Sequence, residues 1–185
     1  MRSSRSLVRV VLVTAFTVSP LLAACGGKGE AAGGGDDDFS AATLAATQVD
    51  VKGQKVTVSL PQGFVRDADS PFIAYVAPAK DNFSLPKFTF RLETTLPPKA
   101  LADLKLESGT KQKPMVEKKR AEVAGGLLVA GVNATGGTAE LVFWRLRPDG
   151  AGVSCRAVQA RSAGVPNVDA TLAMFEKACT SMTLE

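Results

Sequence analysis

Cysteine is the residue type in this chain whose chemistry can be read most directly. There are three cysteines, Cys25, Cys155 and Cys179, and no histidine among 185 residues. Without histidine the chain lacks the commonest general base and the commonest metal ligand. Neither a Ser-His-Asp nor a Cys-His site can be assembled from it, and no cofactor-binding motif stands out. Catalysis therefore ranks last among the functions to expect. Cys155 and Cys179 lie too far apart for a C-x-x-C redox motif. In an oxidising compartment such a pair is most simply a disulfide; two free thiols are the alternative.

The segment before Cys25 points to that compartment. Arg2, Arg5 and Arg9 precede an apolar run from Val10 to Leu22, which leads to the small residues Ala23 and Ala24. A basic start, a short apolar core and small residues at a cut site make a secretory signal peptide. The run is short of the roughly 20 residues of a membrane span, and Ser19 and Pro20 interrupt it. Leu22-Ala23-Ala24-Cys25 resembles the lipobox of bacterial lipoproteins. That resemblance implies cleavage before Cys25, a diacylglyceryl group on its sulfur and acylation of the new amino group. Two or more chains hold a protein stably where one does not. An ordinary secretory leader with a cysteine at its cut site is the alternative. Gly26 rather than Asp follows the cysteine. By resemblance to enterobacterial sorting, this favours the outer over the inner membrane, on its periplasmic face or at the cell surface.

The expected divisions are a signal peptide over 1–24, a lipidated flexible linker over 25–46 and a single domain over 47–185. Removing the leader's three arginines leaves 19 basic against 18 acidic side chains. Nothing in that near-neutral balance suggests nucleic acid as a partner. The expected partners are the membrane, through Cys25, and an envelope protein or small ligand. The linker is rich in glycine and carries Asp36-Asp37-Asp38. As a flexible coil it would span roughly 25 Å, from about 5–6 Å times the square root of its length.

The domain must then position whatever acts. Val56, Val58 and Leu60 alternate with polar residues, a half-buried strand ended by Pro61-Gln62-Gly63. Phe72 to Val76 reads as a second strand. In a third, Phe88, Phe90 and Leu92 alternate with Lys87, Thr89, Arg91 and Glu93. Pro97-Pro98 opens a short helical segment through Leu104. Met115 to Val123 can pair with Leu127 to Val132 across Ala124-Gly125-Gly126. Two further strands, 139–147 and 153–160, flank Pro148-Asp149-Gly150, in a meander. Val168, Leu172, Phe175, Cys179 and Met182 form the apolar stripe of a last helix, with Asn167 or Asp169 as candidate cap. The expected class is α+β: an antiparallel sheet of about six to seven strands, with the C-terminal amphipathic helix and a short middle helix packed on it. A disulfide would then staple that helix to the last strand.

Val56-Thr57-Val58-Ser59-Leu60-Pro61-Gln62-Gly63-Phe64, the Ala124-Gly125-Gly126 turn and Leu172-Ala173-Met174-Phe175-Glu176-Lys177 together resemble the opening strand, central hairpin and closing helix of the PsbP-like superfamily. This superfamily includes bacterial DcrB-like lipoproteins. The resemblance covers about Val49 to Leu184. It implies an antiparallel sheet with helices against its faces and a binding or assembly role.

Several groups are candidate contact sites. Lys118, Lys119 and Arg120, with Lys111 and Lys113, could meet an anion or an acidic partner. A solvated edge strand, where lysines discourage aggregation, is the plainer explanation. Lys87, Thr89, Arg91 and Glu93 could line a groove or simply face solvent. Arg145, Arg147 and Arg156 could gather around an anion or pair with Glu140 and Asp149. Gly125-Gly126 and Gly136-Gly137 read as turns. Of Phe143 and Trp144, one should be core and the other should lie under a helix. The leading expectation is a non-catalytic binding module; a structural or assembly accessory of an envelope complex is the alternative. A concave pocket with convergent charges would favour the first, and a broad apolar patch the second.

Intact mass of membrane-extracted protein checks both cysteine assignments. The expected result is a chain beginning at Cys25 with added acyl mass, and two thiols that label only after reduction. An unacylated chain, or thiols that label without reductant, overturns the corresponding half.

Overall fold

A computed structural model describes residues 38–78, 84–94 and 97–185. The expected signal peptide, Cys25 and most of the expected linker lie outside the described residues. The strands are β1 (Leu44–Val51), β2 (Gln54–Pro61), β3 (Val65–Arg66), β4 (Ile73–Val76), β5 (Lys87–Glu93), β6 (Met115–Val123), β7 (Gly126–Asn133), β8 (Thr138–Leu146), β9 (Gly152–Ala160) and β10 (Thr183–Leu184). Among the described residues there is one α-helix, α1, spanning Val168–Thr180. The class is α+β, built on antiparallel sheet.

A seven-stranded sheet runs in the order β3-β4-β5-β9-β8-β7-β6, and a three-stranded sheet in the order β1-β2-β10. The large sheet is two meanders, β3-β4-β5 and β6-β7-β8-β9, joined where β5 pairs with β9. The connection from Glu93 to Met115 must therefore pass from the third strand to the far edge. That is four strand spacings, about 19 Å, taken across one face of the sheet.

The other face is the main core. Phe88 and Phe90 of β5, Cys155 and Ala157 of β9, Leu141 and Phe143 of β8 and Leu128 of β7 are buried on it. Val49, Val51, Val56, Val58 and Leu60 of the small sheet, together with Leu172, Phe175 and Cys179 of α1, close over them. Edge-to-face aromatic pairs run Phe39–Phe64–Phe88–Phe175, with centroids 5.6, 5.9 and 5.7 Å apart. Such pairs add about 0.5–1.5 kcal/mol each beyond burial.

Cys155 and Cys179 form a disulfide, with Cα atoms 5.5 Å apart and both residues fully buried. It ties α1 to the central strand of the sheet. Leu172, Phe175 and Cys179 of the expected stripe are buried on α1, and Met182, also buried, lies just past the helix end at Thr180. Asn167 holds the N-cap position, but in a left-handed conformation and without a side-chain hydrogen bond to the helix. Instead, Thr171 Oγ1 donates to the Pro166 carbonyl at 3.0 Å.

Three details depart from the sequence expectations. β1, Leu44–Val51, is a strand that the sequence reading did not include, and Phe39 packs on the core. Leu44–Ala46, and Phe39 before them, thus belong to the domain although composition placed them in the linker. Their partners explain this: Thr43 accepts from the Gln62 amide at 2.8 Å, and Leu44, Ala45 and Ala46 pair with Pro61, Leu60 and Ser59. The middle helix is a single 3₁₀ turn, Leu101–Asp103. The crossing chain holds its shape through contacts to the sheet beneath, which a longer helix would not follow. The two-residue strands β3 and β10 were not expected. β10 exists because the chain end lies along β2, where the Glu185 amide donates to the Lys55 carbonyl at 3.1 Å.

The Met115–Val123 hairpin is as expected, with Ala124 and Gly125 both at positive φ (50° and 70°). This is the twist a two-residue hairpin turn needs. Lys119 lies on the core side of the edge, where its Nζ donates to Glu176 of α1 at 2.8 Å.

Replacing both Cys155 and Cys179 by Ala removes a cross-link worth about 3 kcal/mol in the chain-entropy model. Denaturant unfolding of the variant is expected to show a loss of that order with the strands retained. An unchanged midpoint would mean that the staple contributes nothing.

Candidate functional site

The second face of the large sheet carries the charged residues. Paired positions place Thr89, Arg156, Val142, Val129 and Arg120 in one row across it. Lys87, Val158, Glu140, Gly131 and Glu117 form the next row, and Arg91, Ser154, Trp144 and Leu127 another. The face thus divides along its width. The β7–β8 half is apolar, and there Leu101, Leu104 and Leu106 of the crossing segment pack on Leu127, Val129, Val142 and Trp144. The β5–β9 half is polar and only partly covered.

The crossing segment is fastened at its border by Glu140. This carboxylate is fully buried. It accepts from Arg156 Nε at 2.6 Å and from the amides of Glu107 and Ser108 at 3.2 and 2.8 Å. Arg156 Nη2 also donates to Ser108 Oγ at 2.8 Å. Gly131 lets the segment sit close, because a Cβ there would come within 2.5 Å of Leu106 Cδ1 and of the Val116 carbonyl. At the far edge Arg120 donates to the carbonyls of Leu101 and Leu104 and pairs with Glu117 at 2.7 Å. The paired guanidinium holds the Glu117 carboxyl below its usual range.

The uncovered half lies between this segment and the β3–β4 loop. Lys87 Nζ donates to Asp67 Oδ2 at 2.8 Å, and this ammonium holds the Asp67 carboxyl below the usual carboxylate range. The contact therefore favours folding above the ordinary carboxylate pKa. That contribution fades as pH falls through the lowered value. Arg91 stacks its guanidinium 4.6 Å from the centroid of the Phe72 ring. Its Nη1 stands 3.7 Å from Glu107 Oε2, beyond hydrogen-bond reach. Phe72 is 48% exposed.

Phe72 and Pro71 separate two clefts. One, of about 530 Å³, is lined by Asp67, Asp69, Lys87 and Val158 among others. The second, of about 430 Å³, is bordered by Lys52, Ile73, Arg91, Leu92, Glu93 and Trp144. Both are within the size of small-molecule sites. Among the described residues no group of three or more Asp, Glu or Cys comes together to hold a metal ion, and no helix is long and apolar enough to cross a membrane.

The structure divides the sequence candidates. Lys87, Thr89 and Arg91 are brought together on the partly open face. Lys118, Lys119 and Arg120 do not form one patch. The strand is irregular between Glu117 and Lys119; Lys118 is exposed there, Lys119 reaches α1 and Arg120 reaches the crossing segment. Arg147 and Arg156 pair with Asp149 and Glu140, at 2.7 and 2.6 Å. Arg145 lies over the Phe143 ring at 5.7 Å, so the three arginines do not converge. Phe143 is core, and Trp144 lies under the crossing segment. Phe72 was missed as a contact residue because its apolar type assigned it to a buried strand.

Fold and site together define a disulfide-tied α+β domain with a cleft-bearing charged face. No family model matches this sequence, and no curated protein matches it.

Glu140→Ala should cost about 3–5 kcal/mol, as expected when one partner of a buried pair is removed. Glu140→Gln, which keeps the volume and one acceptor, should cost less. Urea unfolding monitored by Trp144 fluorescence measures both. Equal, small losses would mean that Glu140 does not fasten the crossing segment.

Proposed function

We propose that this chain is a membrane-anchored envelope lipoprotein whose domain binds a protein partner or a small ligand and carries out no chemistry of its own. The lipobox-like sequence supports the anchor on Cys25. Gly26 favours the outer membrane. A disulfide between Cys155 and Cys179 suits a compartment outside the cytoplasm.

The observation that carries the binding role is Phe72. It is a large apolar side chain held half-exposed between two clefts, with a guanidinium stacked on it. Aromatic side chains and arginine are residue types enriched where proteins recognise partners. The assembly-accessory alternative calls for a broad apolar surface. The other large apolar residues exposed among those described are Val65 and Val116, on opposite edge strands of the large sheet. Resemblance to the PsbP-like superfamily adds weight to a non-enzymatic role, although fold alone does not fix function.

Two variants of the full-length protein test the proposal in cells. Cys25→Ser should lose acyl mass and leave the membrane fraction. A photo-crosslinking residue at position 72 should give a discrete adduct that is lost with Arg91→Ala. A Cys25→Ser chain that stays in the membrane fraction rules out the anchor. Absence of an adduct, or one indifferent to Arg91, rules out a protein partner at this face.

A further inference from the structure

We propose that the cleft bordered by Lys52, Phe72, Arg91 and Trp144 takes a small apolar carboxylate, that is, one anionic group on an apolar or aromatic body; this rests on the binding role proposed above. The lining has two kinds of residue. Val51, Pro71, Phe72, Ile73, Phe90, Leu92 and Trp144 are apolar, and the charged members are Lys52, Arg91 and Glu93. Two cations against one carboxylate leave the lining itself at +1, with the Glu107 carboxylate 3.7 Å from Arg91 just outside it.

Arg91 has hydrogen-bonding capacity that the chain does not use. Its Nε is enclosed without a partner among the described residues, and its Nη1 is 3.7 Å from its nearest carboxylate. The side chain remains 41% exposed. Its plane is held by the Phe72 ring, so little rotamer freedom is left to lose on binding. A fixed guanidinium offers a carboxylate two parallel donors, the geometry that makes such pairs strong.

Lys52 enters from a different element. It sits in the β1–β2 turn at φ 54° beside Gly53 at φ 85°. The Gly53 amide donates to Asp50 Oδ1 at 2.7 Å and braces the turn. The small sheet thereby supplies the second cation and the large sheet the first, with apolar side chains between them. An uncharged apolar ligand would leave Lys52 unanswered and Arg91 facing only the Glu107 carboxylate at 3.7 Å, and a simple inorganic anion would leave the apolar walls wet. A ligand carrying both features meets the whole lining.

Trp144 is the only tryptophan in the chain and lines the cleft, so its fluorescence reports occupancy directly. The experiment titrates the protein with phenylbutyrate and decanoate, and with phenylbutanol and decanol as uncharged counterparts. The acids should give a saturable change, with each alcohol at least about tenfold weaker, the scale of one charge-assisted contact. Arg91→Gln should abolish that preference, while Phe72→Ala should weaken acid and alcohol alike. Circular dichroism of both variants shows that they remain folded. Acid and alcohol of equal affinity, or no saturable change with any of the four, overturn the assignment. If a position-72 adduct forms in cells while the acids do not bind, the ligand class fails and the binding role stands. If the acids bind and no adduct forms, the ligand class stands and a protein partner at this face is excluded.

Discussion

The pairing of β5 with β9 is the constraint on which the rest of the molecule depends. Two meanders could each have remained separate antiparallel sheets. Joining them through this seam makes a single seven-stranded sheet whose core face is continuous from Ile73 through Phe90, Cys155 and Phe143 to Leu128. It also obliges the connection after β5 to travel back across the opposite face. That crossing chain becomes the cover of the apolar half, and the limit of its reach leaves the polar half partly open. The disulfide reinforces the same seam, because Cys155 lies between Phe90 and Phe143 in register and holds α1 down over them.

Polar and apolar interactions divide the labour on the second face. Leucines of the crossing segment bury apolar area over β7 and β8, which favours a general location without choosing a register. Glu140 chooses it. A buried carboxylate needs its lone pairs satisfied, and the amides of Glu107 and Ser108, with Arg156, meet that need at one placement of the segment. Such an arrangement contributes more to specificity than to net stability, since desolvating the ion pair offsets much of its attraction. Arg120 does the corresponding work at the edge by donating to two carbonyls of the 3₁₀ turn. Neither Glu140 nor Arg120 is thereby available to a ligand. Arg91 meets the segment only through the Glu107 carboxylate at 3.7 Å, beyond hydrogen-bond reach.

The sheet edges show how much of the basic cluster is structural. β6 is an edge strand of nine residues. A bare edge of that length invites pairing with another chain. An irregular register at Glu117–Lys119 and exposed lysines disrupt it. Lys119 and Arg120 are adjacent in sequence and face opposite sides of the sheet. What reads as a linear basic patch is thus two intramolecular contacts and one exposed charge. The opposite edge, β3, is two residues long, too short to template pairing.

By itself the sequence determined the periodic features. Alternation in 56–60 and 87–93, the glycine turn at 124–126 and the stripe from Val168 to Met182 each follow from local geometry, in which side chains repeat every two or about 3.6 residues. The disulfide followed from chemistry: two cysteines remaining behind a segment that reads as a secretory leader, one on a core-facing helix stripe and one on a strand. Contacts between distant residues decided the rest. Nothing local in Leu44–Ala46 marks a strand, because its order comes from pairing with Leu60 and Ser59. The two-residue strand at Thr183–Leu184 exists only where β2 offers an edge. Which of Arg91 and Arg156 would be spent on internal pairs depended on where Glu107 and Ser108 of the connection lay, and that was set by strand order. Strand order is a long-range choice among patterns that look alike in one dimension, so the cleft at Phe72 and Arg91 appeared only in the tertiary structure.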